Sequence, residues 1–106
     1  MRFWEHDEHT LLCPCGDMYI HQRAVEVFNR SEDAEEGTHV LVDEENITVD
    51  RDLTGNPSLR RQGLSIYFWC EGCGDTSKLT IAQHKGVTLV EFAIVPQEVI
   101  DHEYRT

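Results

Sequence analysis

The sequence predicts a small, mainly β protein that forms one domain around an antiparallel sheet. Its 106 residues fit a single domain. Short segments of β-branched and aromatic residues alternate with turn residues, which is the pattern of strands. No apolar run approaches the roughly 20 residues that a membrane-spanning helix needs. Because a chain of this size buries only a modest core, a bound metal would add substantially to its stability.

Six segments carry the strand signal. The segment LSIYFW at 64–69 alternates its side chains between two faces, and the last three segments are joined by connections short enough for consecutive antiparallel strands. An acidic four-residue turn, DEEN at 43–46, joins the second and third segments into a hairpin. The predicted strands are 18–28, 38–42, 47–49, 64–69, 77–83 and 87–95.

The remaining segments are predicted to be irregular or helical. Residues 50–63 contain glycine, proline and few large apolar side chains, so we expect an ordered loop. Pro96 ends the last strand, and residues 97–104 are predicted to form one or two turns of a short C-terminal helix. The apolar strand 87–95 suits either a core or a dimer seam, so the sequence leaves the oligomeric state open.

The net charge of -11 is concentrated in one segment. Residues 31–52 hold nine acidic residues against Arg51 alone, which gives that segment -8 of the total. Such a surface repels nucleic-acid phosphates, since binding them depends on lysine and arginine. We interpret the segment as a solvated loop and hairpin tip. The alternative is a face for a basic protein partner, or a mimic of DNA.

The four cysteines form two tight pairs, each followed by glycine: CPCG at 13–16 and CEGCG at 70–74. The acidic N-terminus lacks the apolar region of a secretory signal, so we expect a cytoplasmic protein with reduced thiols. Paired cysteines in that setting indicate metal ligands, and two thiolates at this spacing converge on one tetrahedral ion. We predict one structural Zn²⁺ bound by Cys13, Cys15, Cys70 and Cys73.

The two pairs are not equivalent. One residue separates Cys13 from Cys15, whereas two separate Cys70 from Cys73. The compressed pair leaves open that a histidine replaces one cysteine; the candidates are His6, His9 and His21. In the second pair we expect Gly72 and Gly74 to adopt positive φ.

Both pairs resemble the knuckles of the zinc-ribbon superfamily, which commonly read C-P-x-C-G and C-x-x-C-G. The second matches fully, and the first matches with one residue deleted. The resemblance covers residues 10–20 and 64–95 and implies that 1–106 is one ribbon-like domain, with 29–63 inserted as an acidic hairpin and loop. It implies a structural zinc and an interaction module of transcription, translation or nucleic-acid machinery. More loosely, residues 63–92 resemble small actinobacterial and phage proteins without a known activity.

No catalytic constellation is visible in the sequence. His6-Asp7-Glu8 with the second cysteine pair superficially resembles a zinc deaminase, but Trp69 stands where that motif has proline. We expect a non-enzymatic interaction or accessory protein with a protein partner and no membrane contact. A nucleic-acid-binding ribbon is the first alternative, and an acidic inhibitor of a basic protein is the second. The nucleic-acid patch would comprise Arg60, Arg61, Lys78, Lys85, Tyr67 and Trp69; we expect the two arginines to pair with the acidic loop instead.

Overall fold

The computed structural model describes residues 10–96, and its strands form one six-stranded antiparallel sheet. The strands are β1 (Ile20–Asn29), β2 (Thr38–Asp43), β3 (Asn46–Asp50), β4 (Gly63–Cys70), β5 (Thr76–His84) and β6 (Val87–Ile94). The predicted fold class is confirmed, and every predicted strand end lies within two residues of the observed end. The described part of the chain contains no helix long and apolar enough to cross a membrane. The helix predicted for 97–104 lies outside the described residues.

The strand order β3-β2-β1-β4-β5-β6 places the first strand in the centre of the sheet. One side of β1 pairs with β2, and its other side pairs with β4. The acidic hairpin of β2 and β3 therefore extends the same sheet outward from β1. The segment 51–62 then carries the chain back across the sheet to β4. This connection is irregular, as predicted.

One face of the sheet, here called the packed face, holds the buried core. Ala24, Tyr67 and Val95 form its apolar cluster, with Leu41 packed against them. The segment 51–62 is fastened to the rest of the domain by Ser58, whose Oγ donates to the carbonyl of Gln83 at 2.9 Å. The apolar cluster therefore lies on one side of the sheet.

A buried polar network also lies on the packed face. Glu26 and His39 are 6% and 9% exposed, and the His39 Nε2 lies 2.8 Å from Glu26 Oε2. The Nδ1 of the same ring lies 2.9 Å from Asp50 Oδ1. Tyr67 donates its hydroxyl proton to Glu26 Oε1 at 2.7 Å. The network thus links β1, β2, β3 and β4 through side chains.

The arginines at the end of the long connection bind the acidic loop, which confirms that prediction. Arg60 makes two hydrogen bonds of 2.6 Å to the Asp33 carboxylate, and Arg61 lies 3.0 Å from Glu32. The hydrogen bonds from Arg60 lower the pKa of Asp33. Part of the acidic segment is therefore neutralised by neighbours in the fold.

Candidate metal centre

Two short turns bring the four cysteines together at one end of the sheet. The first turn, residues 13–16, precedes β1, and the second, residues 70–74, joins β4 to β5. In the β1–β4 pair, Ile20 lies opposite Cys70. The Glu71 N–H also donates to the Tyr19 carbonyl at 3.0 Å. The register of the two central strands therefore sets the turns side by side.

The four Sγ atoms form a compact cluster, in which all lie within 4.8 Å of one another. Cys13 Sγ is 3.7 Å from Cys73 Sγ, and Cys15 Sγ is 3.6 Å from Cys70 Sγ. A zinc ion with sulfur ligands at about 2.3 Å sets their separation, along a tetrahedron edge, at about 3.8 Å. A disulfide would need about 2.05 Å, and all four cysteines are free. The spacing of the sulfurs fits one tetrahedral metal ion.

The one-residue deletion in the first pair does not keep its sulfurs out of the cluster. The Gly16 N–H donates to the Cys13 carbonyl at 2.7 Å, and the Gly74 N–H donates to the Cys70 carbonyl at 3.0 Å. Both glycines have positive φ, +102° and +76°, a conformation that costs glycine little. The two turns thus close on their first cysteine in a similar way, and the first is simply tighter.

Gly72 was predicted to adopt a positive φ, but the structure shows a different reason for glycine at this position. Its φ is not positive, whereas that of Gly74 is. A Cβ at position 72 would overlap the side chain of Asp17, which follows the first turn. Glycine is needed there because the two turns approach each other closely. Sequence reasoning could not find this, since the contact joins residues 55 positions apart.

Asp17 is a supporting residue that the sequence reasoning missed. Its carbonyl accepts the Cys13 N–H at 2.9 Å, and its Oδ1 accepts the Tyr19 N–H at 2.9 Å. Aspartate bonded to the backbone two residues later is a common turn element. The sequence signal was therefore present, although it says nothing about a metal.

Hydrogen bonding and burial distribute negative charge unevenly over the thiols. The Cys73 N–H lies 3.4 Å from Cys70 Sγ and lowers the pKa of that thiol to about 7. Burial raises the pKa of Cys13 to about 12. In the absence of a cation, Cys70 is therefore the thiol that loses its proton first as the pH rises. A divalent ion would supply the positive charge needed to deprotonate the others.

His21, one of the three histidines considered as ligands, is not part of the cysteine cluster. His21 Nε2 bonds the Glu71 carboxylate, and its ring lies 6.0 Å from that of Trp69. The metal-ligating group found in residues 10–96 consists of the four cysteines. His6 and His9 lie outside the described residues. The four side chains chosen from the sequence are thus the ones brought together.

Of the two aromatic residues considered for a nucleic-acid patch, Tyr67 is buried and Trp69 is exposed. Tyr67 is 1% exposed, and the Lys78 Nζ lies 5.5 Å from the centre of its ring. Arg60 and Arg61 are bonded to the acidic loop. A buried ring such as that of Tyr67 cannot stack on a base, whereas Trp69 could, so nucleic-acid binding stays a prediction.

No protein-family model, curated protein or solved structure matches this chain. The resemblance to zinc ribbons therefore depends on the two cysteine turns and their convergence. Function is inferred from the chemistry of that site.

Proposed function

We propose that this chain is a small, non-enzymatic interaction or accessory protein whose fold is held together by one structural zinc ion. The observation that carries the proposal is the convergence of four thiols from two distant turns within 4.8 Å. A tetrahedral ion bound by all four would have no open position for water or substrate. Structural zinc sites are closed in this way, whereas catalytic ones retain an open position.

The ligand set suits zinc. Four thiolates are soft ligands, which select zinc or iron among the metals common in cells. The two short sulfur separations, 3.6 and 3.7 Å, suit a single ion. Metal analysis of the purified protein distinguishes zinc from iron directly.

The wide separation of the ligands along the sequence supports a structural role for the ion. The paired sulfurs are 55 and 60 residues apart in sequence, so an ion that binds them closes a long loop of the chain. Because the site does not exist in the unfolded chain, the free energy of metal binding becomes free energy of folding. The fully buried apolar core on the packed face is small, which makes that contribution important.

The decisive experiment measures metal content and coordination in the same sample. Expected results are one zinc per chain and an X-ray absorption spectrum with four sulfur ligands at about 2.3 Å. A nitrogen ligand would show that a histidine replaces one of the cysteines, whereas an oxygen ligand from water would reveal an open position and would refute the non-enzymatic assignment. A fully folded, metal-free protein would refute the structural role.

A pair of neighbouring substitutions supplies the control. Cys15→Ser removes a ligand, whereas Pro14→Ala alters the same exposed turn without removing one. Structural zinc in small domains contributes roughly 10–16 kcal/mol, which is comparable with the whole stability of a domain. We expect Cys15→Ser to lose zinc and to unfold, and Pro14→Ala to keep one zinc per chain. Equal zinc content in both variants would contradict the assignment of Cys15 as a ligand.

A further inference from the structure

The sheet face opposite the packed face carries two unbroken rows of apolar side chains that cross all six strands. Strand register places the residues of each row directly opposite one another. The first row is Val49, Val40, Val27, Leu64, Ile81 and Val90. The second row is Ile47, Val42, Val25, Ile66, Leu79 and Phe92. These twelve residues are here called the apolar face.

The apolar face is open in the described part of the chain. None of its twelve residues is buried, and at the sheet edges Ile47, Val49 and Val90 are 70%, 63% and 65% exposed. Within the segment 51–62, Asn56 and Pro57 lie against Gly63, which is on the packed face. Val95 also packs against Ala24 and Tyr67, so the chain leaves β6 on the packed side.

Charge is excluded from the apolar face. Apart from Arg23, which lies at the irregularity between Gln22 and Ala24, every Asp, Glu, Lys and Arg within the six strands lies on the packed face. These residues are Glu26, Asp43, Asp50, Lys78 and Glu91. In a chain of net charge -11, an uncharged surface of this extent requires an explanation.

We propose that a second copy of this chain covers the apolar face, so that two sheets pack face to face in a symmetric dimer. This inference goes beyond the proposed zinc site and does not depend on it. Five of the twelve residues are 38–70% exposed and the other seven are partly exposed, so the face offers an accessible surface on the order of the roughly 800 Å² that each partner contributes to a standard stable interface.

A second copy suits the chemistry of this surface better than an unrelated partner of opposite charge. Two copies at -11 repel each other through their charged surfaces, but the apolar faces carry no charge to repel. Sheets that pack face to face need apolar side chains on both inner faces. A dimer with a two-fold axis meets this requirement, because both partners contribute the same apolar face.

The test compares substitutions on opposite faces of the same two edge strands. Ile47→Lys/Val90→Lys places two lysines on the apolar face. Thr48→Lys/Leu89→Lys adds the same charge to β3 and β6 on the packed side, at positions that are also exposed. The 106-residue protein is studied by sedimentation and by light scattering after gel filtration. Circular dichroism establishes that each variant is folded.

The wild-type chain of 12.2 kDa should behave as a particle of about 24 kDa, twice its mass. Ile47→Lys/Val90→Lys should raise the dimer dissociation constant by at least about 100-fold, because each lysine puts an unpaired charge into an apolar interface. Thr48→Lys/Leu89→Lys should change it less than about threefold, since these side chains remain in solvent.

Three results would overturn the proposal. The first is a wild-type chain that stays monomeric at about 100 µM, well above the micromolar upper end of the dissociation constants of standard interfaces. The second is equal dissociation of the two double variants, and the third is a dimer that survives Ile47→Lys/Val90→Lys. A wild-type monomer would mean that another segment of the chain or a different protein covers the face. If the double variant does not fold, Ile47→Lys alone is used, because this side chain is 70% exposed at the sheet edge. It should still weaken the dimer.

Discussion

Replacing Glu26 by glutamine removes one charge from the buried network while preserving the shape of the side chain. In the wild-type chain, His39 Nε2 lies 2.8 Å from Glu26 Oε2, and Nδ1 lies 2.9 Å from Asp50 Oδ1. A carboxylate only accepts hydrogen bonds, so both ring nitrogens must donate. The geometry therefore requires the protonated imidazolium, held between two carboxylates.

The pKa of His39 responds to two opposing effects. Burial lowers it, but the hydrogen bonds to Asp50 and Glu26 outweigh burial and raise the pKa above its ordinary value of 6.5. A raised pKa means that the stabilisation from His39 is complete below pH 6.5 and is lost as the pH rises through the folded-state value. Between the two values, the free energy of unfolding falls by about 1.4 kcal/mol per pH unit.

Glu26→Gln should cost about 2 kcal/mol at pH 6, the usual contribution of a hydrogen bond to a charged group. In a domain of this size that corresponds to a loss of roughly 10 °C in melting temperature. The difference from wild type should shrink toward pH 9, because neutral His39 no longer forms the ion pair. Asp50 has the opposite pH dependence. Its pKa is lowered, mainly because its carboxylate accepts a hydrogen bond from the Asp52 N–H. The stability that Asp50 contributes is therefore lost only as the pH falls below about 3.8.

The assay is urea unfolding of both proteins at pH 6, 7, 8 and 9 with zinc in excess. Cysteine titration occurs in both proteins and cancels in their difference. Glu91→Gln is the control, since Glu91 is an exposed carboxylate on the same face of the sheet. It should change stability by less than about 0.5 kcal/mol at every pH. A Glu26→Gln effect that is constant from pH 6 to 9, or a stabilisation at pH 6, would refute the imidazolium assignment.

Further predictions concern the cysteine turns and the long connection. Gly74→Ala should cost roughly 1 kcal/mol, because its φ of +76° disfavours a side chain although the space beside it is open. Gly72→Ala should cost more and should weaken zinc binding in a chelator competition, because its Cβ meets Asp17; equal effects of the two would contradict the close approach. Ser58→Ala should destabilise the domain by about 1–2 kcal/mol in thermal melts, since the buried Ser58 hydroxyl bonds the Gln83 carbonyl. An unchanged melting temperature would show that this bond does not fasten the connection.

The sequence by itself determined the strands and the candidate ligands. Alternating side chains at 64–69 and the turn residues between segments are local signals, and the observed strands follow them closely. Cysteines spaced for a metal and followed by glycine are also local. These features could be predicted from the sequence because they depend only on residues that are close together along the chain.

Only the tertiary structure decided the strand order, the role of Gly72 and the contrast between the two sheet faces. Alternation shows which residues share a face, but it does not show against which face the segment 51–62 packs. Asp17 meets Gly72 through the β1–β4 register, and the partners of His39 come from two other strands. Contacts between distant residues depend on how the strands pair, and pairing is a property of the assembled sheet.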